Sequence, residues 1–167
     1  MNRLCFKRNL KNSRGFSLLD IFIVLAIVVA IYFIAIQARD KYYNFIVKSQ
    51  AIKLIINLEN LKSDAIAKTK NTHITFRPVD GPYTNYTITD ELGETATHEL
   101  SGSVKMINTN GFIINHKIYA NAFGQFCDED GKELVKPNPG LLIFFSDKAS
   151  ELTILRIDLE TEKIQMD

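Results

Sequence analysis

A long apolar run near the N-terminus constrains this chain more than any other feature. Residues 16–36 contain only two clearly polar side chains, Ser17 and Asp20. As a helix, this segment would rise about 32 Å, which is enough to cross the hydrocarbon core of a bilayer. The rest of the 167 residues leaves room for a single small globular domain. We therefore expect a single-pass membrane protein with one domain outside the bilayer.

Charge is distributed unevenly on the two sides of the apolar run. Residues 1–15 carry five basic side chains and no acidic one. The positive-inside rule predicts that this segment stays in the cytoplasm and that the C-terminal body is exported. Residues 16–167 hold 15 basic and 19 acidic side chains, so the body is mildly acidic. It gives no electrostatic reason to expect nucleic acid as a partner.

Three kinds of N-terminus combine a basic segment with an apolar run. A secretory signal has an apolar core of about 7–15 residues and small residues at its cleavage site. The run here is longer, although residues 36–38 (Ile-Gln-Ala) form a poor version of such a site. A plain signal anchor would keep its leader. The third kind, an anchor cleaved on its cytoplasmic side, is indicated by Gly15 at the boundary and by the carboxylate of Asp20 shortly after it.

The lone carboxylate of Asp20 calls for an explanation because a charge inside a span costs roughly 2.5–3.5 kcal/mol on insertion scales. In the simpler interpretation, Asp20 lies near the interface and is tolerated there. If the bond after Gly15 is cut, however, Phe16 gains a free amino group at the start of the helix. That cation can pair with Asp20 of a neighbouring subunit and set the stagger between two helices.

The boundary resembles the type IV prepilin signal, in which glycine precedes Phe-Thr-Leu-Ile-Glu or a close variant, and the matching residues are Gly15-Phe16-Ser17-Leu18-Leu19-Asp20. The resemblance implies that prepilin peptidase cleaves after Gly15 and N-methylates Phe16. It also implies that Asp20 acts in assembly. Aspartate replaces the usual glutamate here and is one methylene shorter, which affects assembly more than processing.

Helical signals continue beyond the apolar run. Apolar residues recur at intervals of three and four on one face: Val47, Ala51, Leu54, Leu58, Leu61 and Ala65. Proline and glycine are absent from residues 16–71, so we expect one helix of about 55 residues, near 80 Å long, with Asn71 as its cap. A coiled coil would produce the same second half. The single long helix is favoured because pilins share it, and Gln37 stands near the place where many major pilins have a kinking proline.

The pattern of the C-terminal body predicts short strands separated by turns. Strands are predicted at residues 73–76, 83–89, 104–107, 111–119, 141–145, 152–158 and 163–166. Asp-Gly-Pro, Asn-Gly, Asp-Gly and Pro-Asn-Pro-Gly sequences separate several of them. With no second helix, the prediction is an α+β, pilin-like fold in which the long N-terminal helix packs on a C-terminal antiparallel β domain.

The body also resembles the GspH/FimT group of pseudopilins and minor pilins, although residues 14–20 carry the specific match. The similar features are the helix end at residues 61–66, an extended run from residue 73, residues 126–131, an apolar strand from residue 141 and a final strand pair. Some members bind DNA through a basic, glycine-containing C-terminal segment. Residues 159–167 lack that character, so DNA binding is not expected.

No constellation for catalysis or metal binding is evident. The three histidines, His73, His98 and His116, have no metal-ligand spacing and are interpreted as solvated or core-edge residues. An acidic segment resembles the start of a calcium loop but lacks the distal glutamate, and a plain turn is favoured for Asp128-Glu129-Asp130-Gly131. Some major pseudopilins do bind calcium in such loops. We expect no enzyme, no cofactor and no metal.

The two cysteines are not expected to form a disulfide. Cys5 lies in the leader and Cys127 in the exported body, so cleavage and topology separate them. Cys127 is predicted to be a free, packed thiol.

Together these inferences divide the chain into four parts: a leader (1–15), a transmembrane and filament-core helix (16–36), an amphipathic continuation (37–71) and an extracytoplasmic β-rich domain (72–167). The expected function is a structural subunit of a type II secretion pseudopilus, a minor pseudopilin, in the bacterial inner membrane. Its partners would be prepilin peptidase, other pilin or pseudopilin subunits and the assembly platform. The alternatives are a minor type IV pilin and, in a different class, an anchored envelope binding module.

Overall fold

The computed structural model describes residues 17–68, 72–90, 92–134, 139–161 and 163–167. Its single α-helix in these ranges, α1, runs from Leu18 to Lys68. The prediction of one uninterrupted helix is therefore confirmed over the described residues, while the expected cap Asn71 and the leader lie outside them. The chain divides into two compact units, with the boundary after Gln37.

In the first unit, the described part of α1 presents apolar side chains on all sides. The large apolar residues at positions 18–34 are each 47–72% exposed. An 18-residue window of this helix has a mean hydropathy of 3.0 and none of it is buried. By length and composition, this segment is able to cross a membrane.

The second unit, Ala38–Asp167, contains the whole hydrophobic core. Every residue of the apolar face predicted for α1 is buried, with exposures of 0–2% for Val47, Ala51, Leu54, Leu58, Leu61 and Ala65. These side chains belong to one cluster with residues of the strands. The coiled-coil interpretation is therefore wrong, because the chain's own β domain covers the row.

Nine strands follow α1: β1 (Thr72–Arg77), β2 (Asn85–Thr89), β3 (Thr95–Glu99), β4 (Val104–Asn108), β5 (Lys117–Ala120), β6 (Phe126–Cys127), β7 (Gly140–Ser146), β8 (Thr153–Asp158) and β9 (Lys163–Met166). They form a five-stranded sheet in the order β3-β2-β1-β5-β6 and a four-stranded sheet in the order β4-β7-β8-β9. Every pairing is antiparallel. The α+β layout is therefore as predicted.

Alternation along the strands explains how the sheets cover the helix. In β7, Leu142 and Phe144 are fully buried, whereas the alternate residues Leu141, Ile143 and Phe145 are partly exposed. This period of two places one face of the sheet in the core and the other towards solvent. An isolated bridge between Tyr83 and Met106 connects the segment before β2 with β4, and so joins the two sheets.

The predicted strand at residues 111–119 is wrong over most of its length. Only Lys117–Ala120 forms a strand, because the chain turns sharply before it. Asn115 and His116 have φ angles of 48° and 60°, and the Lys117 N–H donates to the Ile114 carbonyl at 2.9 Å, as expected of a two-residue hairpin turn. Strands β3 and β6 were not predicted.

Candidate functional site

The carboxylate of Asp20 lies in the first turn of α1 and caps it. Its Oδ2 accepts a hydrogen bond from the Ser17 N–H at 3.0 Å. In return, the Ser17 hydroxyl oxygen accepts from the Leu19 N–H at 3.3 Å, and the Ser17 carbonyl accepts from the Asp20 N–H at 2.9 Å. Ser17 is therefore the N-cap residue. The bond from its N–H to Asp20 is the acidic half of a capping box, with aspartate in place of glutamate, while its hydroxyl accepts from Leu19.

The sequence signal for this cap is Ser-x-x-Asp before an apolar run, a role for Ser17 that was not predicted. The arrangement places a negative charge at the positive end of the helix dipole, which stabilises both. Gly15 and Phe16, the predicted cleavage and methylation residues, lie outside the described residues. The structure therefore gives Asp20 a local role, and within the described residues only its Oδ2 is engaged.

Asp20 is also the only charged residue between positions 17 and 38. It is exposed, as are the apolar side chains that follow it. A bilayer or a neighbouring apolar helix would satisfy those side chains, but neither would hydrate a carboxylate. Asp20 therefore remains the one described position in this helix segment at which a cation from another molecule would be stabilised.

The acidic segment at residues 128–131 is one of three turns with the same geometry. In each, an Asp or Asn side-chain Oδ1 accepts from the N–H groups two and four residues later, at 2.9–3.1 Å. The first residues are Asp90, Asn121 and Asp128. A glycine follows three positions after each and adopts a φ of 78–79°, in the left-handed region: Gly93, Gly124 and Gly131.

This geometry accounts for the sequence that resembled a calcium loop. Oδ1 of Asp128 already accepts from the N–H groups of Asp130 and Lys132. The neutral side chain of Asn121 makes the equivalent bonds, so the turn needs an oxygen acceptor and not a charge. The predicted turn is confirmed. Over the described ranges, no group of three or more His, Cys, Asp or Glu side chains is arranged to hold a metal ion.

Each histidine packs against a different tyrosine. The ring-centroid distances are 5.0 Å for His73–Tyr119, 5.2 Å for His98–Tyr86 and 6.1 Å for His116–Tyr83. The three rings lie at separate places along the five-stranded sheet and do not converge on a common site. Burial, followed by the charge of Lys117, lowers the pKa of His73. They are core-edge residues, as predicted.

Cys127 is a buried free thiol in β6, as predicted. Burial, with the neighbouring carboxylate of Asp128, raises its pKa to about 11. The thiolate that would act as a nucleophile or metal ligand is therefore scarce at neutral pH. This residue contributes packing to the core edge.

Chemically, the described chain offers a capped, charged helix start followed by exposed apolar surface, and a β domain whose titratable groups are dispersed. Comparisons with known proteins found no matching family model, no matching curated protein and no matching solved structure.

Proposed function

We propose that this chain is a structural subunit of a pilin-like filament, anchored by its N-terminal helix before assembly. More specifically, it is a minor pseudopilin of a type II secretion pseudopilus, cleaved after Gly15 by prepilin peptidase and N-methylated on Phe16. The leader would be cytoplasmic and the β domain extracytoplasmic. The observation that carries the proposal is the exposed apolar part of α1 with one carboxylate, Asp20, at its start.

The unequal halves of α1 support this assignment. Its second half is amphipathic and buries one face in the chain's own core, so that face is covered without a second chain. Its first half contributes nothing to that core and leaves all sides apolar. A helix of that kind requires a bilayer or other apolar helices around it, and a filament subunit uses each in turn.

The position of Asp20 supports charge pairing during assembly. Its cap uses Oδ2, so Oδ1 is available to a cation within the described surroundings. Removal of the leader would create an ammonium group on Phe16, and an incoming subunit would present that group to the Asp20 of its neighbour. Pairing neutralises two charges that would otherwise be buried among apolar helices, where a lone charge is costly.

The mature N-terminus decides whether the chain is processed in this way. Mass spectrometry of the protein from membranes of its host should find N-methyl-Phe16 as the first residue. Gly15→Leu should retain the leader, whereas Ser13→Leu, which adds the same bulk two residues earlier, should be processed normally. An intact Met1 on the wild-type protein would identify a plain anchor, and a start at Arg39 would identify a secretory signal; either result contradicts the proposal.

Substitutions at Asp20 separate capping from charge pairing. Asp20→Asn keeps an oxygen that can accept from the Ser17 N–H but removes the charge, while Asp20→Ala removes both. Charge pairing predicts that both variants are cleaved normally and enter filaments poorly, and that Asp20→Glu enters them well. If Asp20→Asn assembles as well as the wild type, only the cap matters and the pairing role is wrong.

The choice of filament needs a separate test. Deletion of the gene should abolish secretion of the substrates of a type II system while leaving surface pili intact. Loss of pili or of DNA uptake with normal secretion would instead assign the chain to a type IV pilus. A deletion that affects neither process, with the leader retained, would favour an anchored binding module.

A further inference from the structure

A cleft of about 430 Å³ opens on the second unit beside the start of its helical part. Its lining consists of Arg39, Tyr43, Asp147 and Lys148. The first two lie on α1 and the other two lie at the turn between β7 and β8. All four belong to the second unit, so the cleft is a property of the β domain and the helix packed on it.

Specific contacts hold the turn against the helix. The Asn44 side-chain oxygen accepts from the N–H groups of Ser150 at 3.1 Å and Glu151 at 3.3 Å, while its amide donates to the Ser150 hydroxyl at 3.1 Å. The Lys148 ammonium lies 5.4 Å from the centre of the Tyr43 ring, within range of a cation–π interaction. The cleft is therefore built by fixed partners and is not a gap between mobile loops.

Of the four residues that line the cleft, Arg39 and Lys148 are basic and Asp147 is acidic. Arg39 pairs with Asp40 at 3.6 Å, and Asp147 accepts from Lys105 at 3.2 Å. Within the described ranges, no carboxylate lies within 4.0 Å of the Lys148 ammonium. Since the two acidic side chains already have basic partners, Lys148 leaves the cleft with net positive charge. A small anion that contacts both Arg39 and Lys148 would neutralise this positive charge.

The position of the cleft in the sequence indicates where such an anion comes from. Arg39 follows the last residue of the apolar run, Ile36, by three positions, a distance of at most about 10 Å in any conformation. The headgroup layer beyond the hydrocarbon core is about 5–7 Å thick on each side. Whenever the run occupies a bilayer, the long side chain of Arg39 is therefore close enough to reach the headgroups. Tyr42 and Tyr43 are the residue type that collects at this level.

We propose that this cleft binds the phosphate of an anionic phospholipid headgroup, with Arg39 and Lys148 as its cationic contacts. The inference rests on the membrane anchorage contained in the proposed function, but not on filament assembly. Headgroup binding would hold the β7–β8 turn at the membrane surface in the unassembled subunit. Extraction into a filament would then require the cleft to release its lipid.

The test uses the full chain purified in a non-ionic detergent and titrated separately with phosphatidylglycerol, phosphatidylcholine and free glycerol phosphate. Native mass spectrometry reports the bound fraction of each. Phosphatidylglycerol should be retained in preference to the other two. Arg39→Gln combined with Lys148→Gln should weaken its binding about 25-fold, at roughly fivefold for each charge removed near an anionic surface.

A matched control is Lys132→Gln combined with Lys163→Gln, which removes two exposed charges elsewhere on the same unit and should leave lipid binding unchanged. Equal retention of both lipids, or an equal loss in both double variants, would overturn the proposal. Glycerol phosphate bound as tightly as the lipid would assign the cleft to a soluble phosphate instead. Lost filament incorporation with unchanged lipid binding would assign it to an acidic protein surface, which also overturns it.

Membrane anchorage is checked first by alkaline carbonate extraction of host membranes. Resistance to extraction without any lipid preference overturns the headgroup inference alone and leaves the proposed function standing. Complete extraction of the chain overturns the anchorage and the headgroup inference together.

Discussion

Replacing Leu58 with alanine removes a side chain from the middle of the row that α1 buries in the core. Leu58 is fully buried, so the loss of its three outer carbons costs about 2.4 kcal/mol of transfer free energy, at about 0.8 kcal/mol per carbon. The neighbours collapse only partly, and the remaining cavity raises the expected loss of unfolding free energy to about 3–4 kcal/mol. A domain of this size typically has about 5–15 kcal/mol in total.

Ile56→Ala is a matched control because it removes the same number of carbons two residues away. Ile56 is 53% exposed, and two residues turn the helix by about 200°, so its side chain lies on the opposite face from Leu58. With about half of the area to lose and no enclosed cavity, its cost should be about 1 kcal/mol. The difference between the variants therefore isolates packing against the β domain.

Urea unfolding of the full chain in a mild detergent, followed by near-ultraviolet circular dichroism, measures both losses. The chain has no tryptophan, so the buried tyrosines Tyr83, Tyr86 and Tyr119 supply the signal. Leu58→Ala should lower the midpoint by about 1.5–2 M urea at an unchanged slope of about 2 kcal/mol/M. Equal losses in the two variants, or a midpoint that rises with protein concentration, would mean that the row packs against another chain and would refute the reasoning.

Three further expectations follow from burial and contacts. Gly140→Ala should destabilise the chain by about 1–3 kcal/mol in the same urea assay, because the new Cβ would lie 2.6 Å from the fully buried ring of Phe112. The control Gly102→Ala should be nearly neutral, since its new Cβ would have no atom within 4 Å. Burial lowers the pKa of His73 in the folded state, so the unfolded chain binds a proton at this residue more readily. The stability that neutral His73 contributes should be fully present above its unfolded pKa and be lost as the pH falls from that value to the folded pKa. His73→Gln should therefore reduce the fall in urea midpoint between pH 7 and pH 5. A fragment of residues 38–167 should unfold cooperatively in water, since it holds every residue of the core; a broad transition without a tyrosine signal would contradict this.

The helix was predictable because its signals are local. The row from Val47 to Ala65 needs only the 3.6-residue period to be recognised, and every member is buried. Strand β3 lacks a comparable signal. Its sequence, Thr-Ala-Thr-His-Glu, shows no apolar alternation, and the strand is exposed on both faces at the edge of its sheet. Only its antiparallel pairing with β2 makes it a strand, and that pairing is non-local.

The turns lie between these two cases. The spacing Asp/Asn-x-x-Gly at Asp90, Asn121 and Asp128 forms the same hydrogen bonds each time. The same spacing also occurs at Asn108, at the end of β4, where Oδ1 accepts from the Phe112 N–H. Considered alone, the acidic third instance resembles the start of a calcium loop. Considered beside its neutral counterpart at Asn121, it indicates a turn, and two of these turns directly precede β3 and β6. Because the spacing also occurs at Asn108, where no hairpin follows, it marks a turn but does not locate the strands beside it.

The candidate sites differ in the same way. Asp20 was identifiable from the sequence because it is the one charge in an apolar run, and its partner Ser17 is three residues away. The positively charged cleft was not, because Asn44 and Ser150 are separated by 106 residues and meet only once the core forms. If both assignments hold, the chain meets its environment at two levels of one helix. Asp20 would act among apolar helices, and the cleft would act at the membrane surface, so a subunit leaving the bilayer must exchange a lipid contact for a protein contact. Loss of Arg39 and Lys148 should then ease extraction from the membrane without changing the pairing at Asp20.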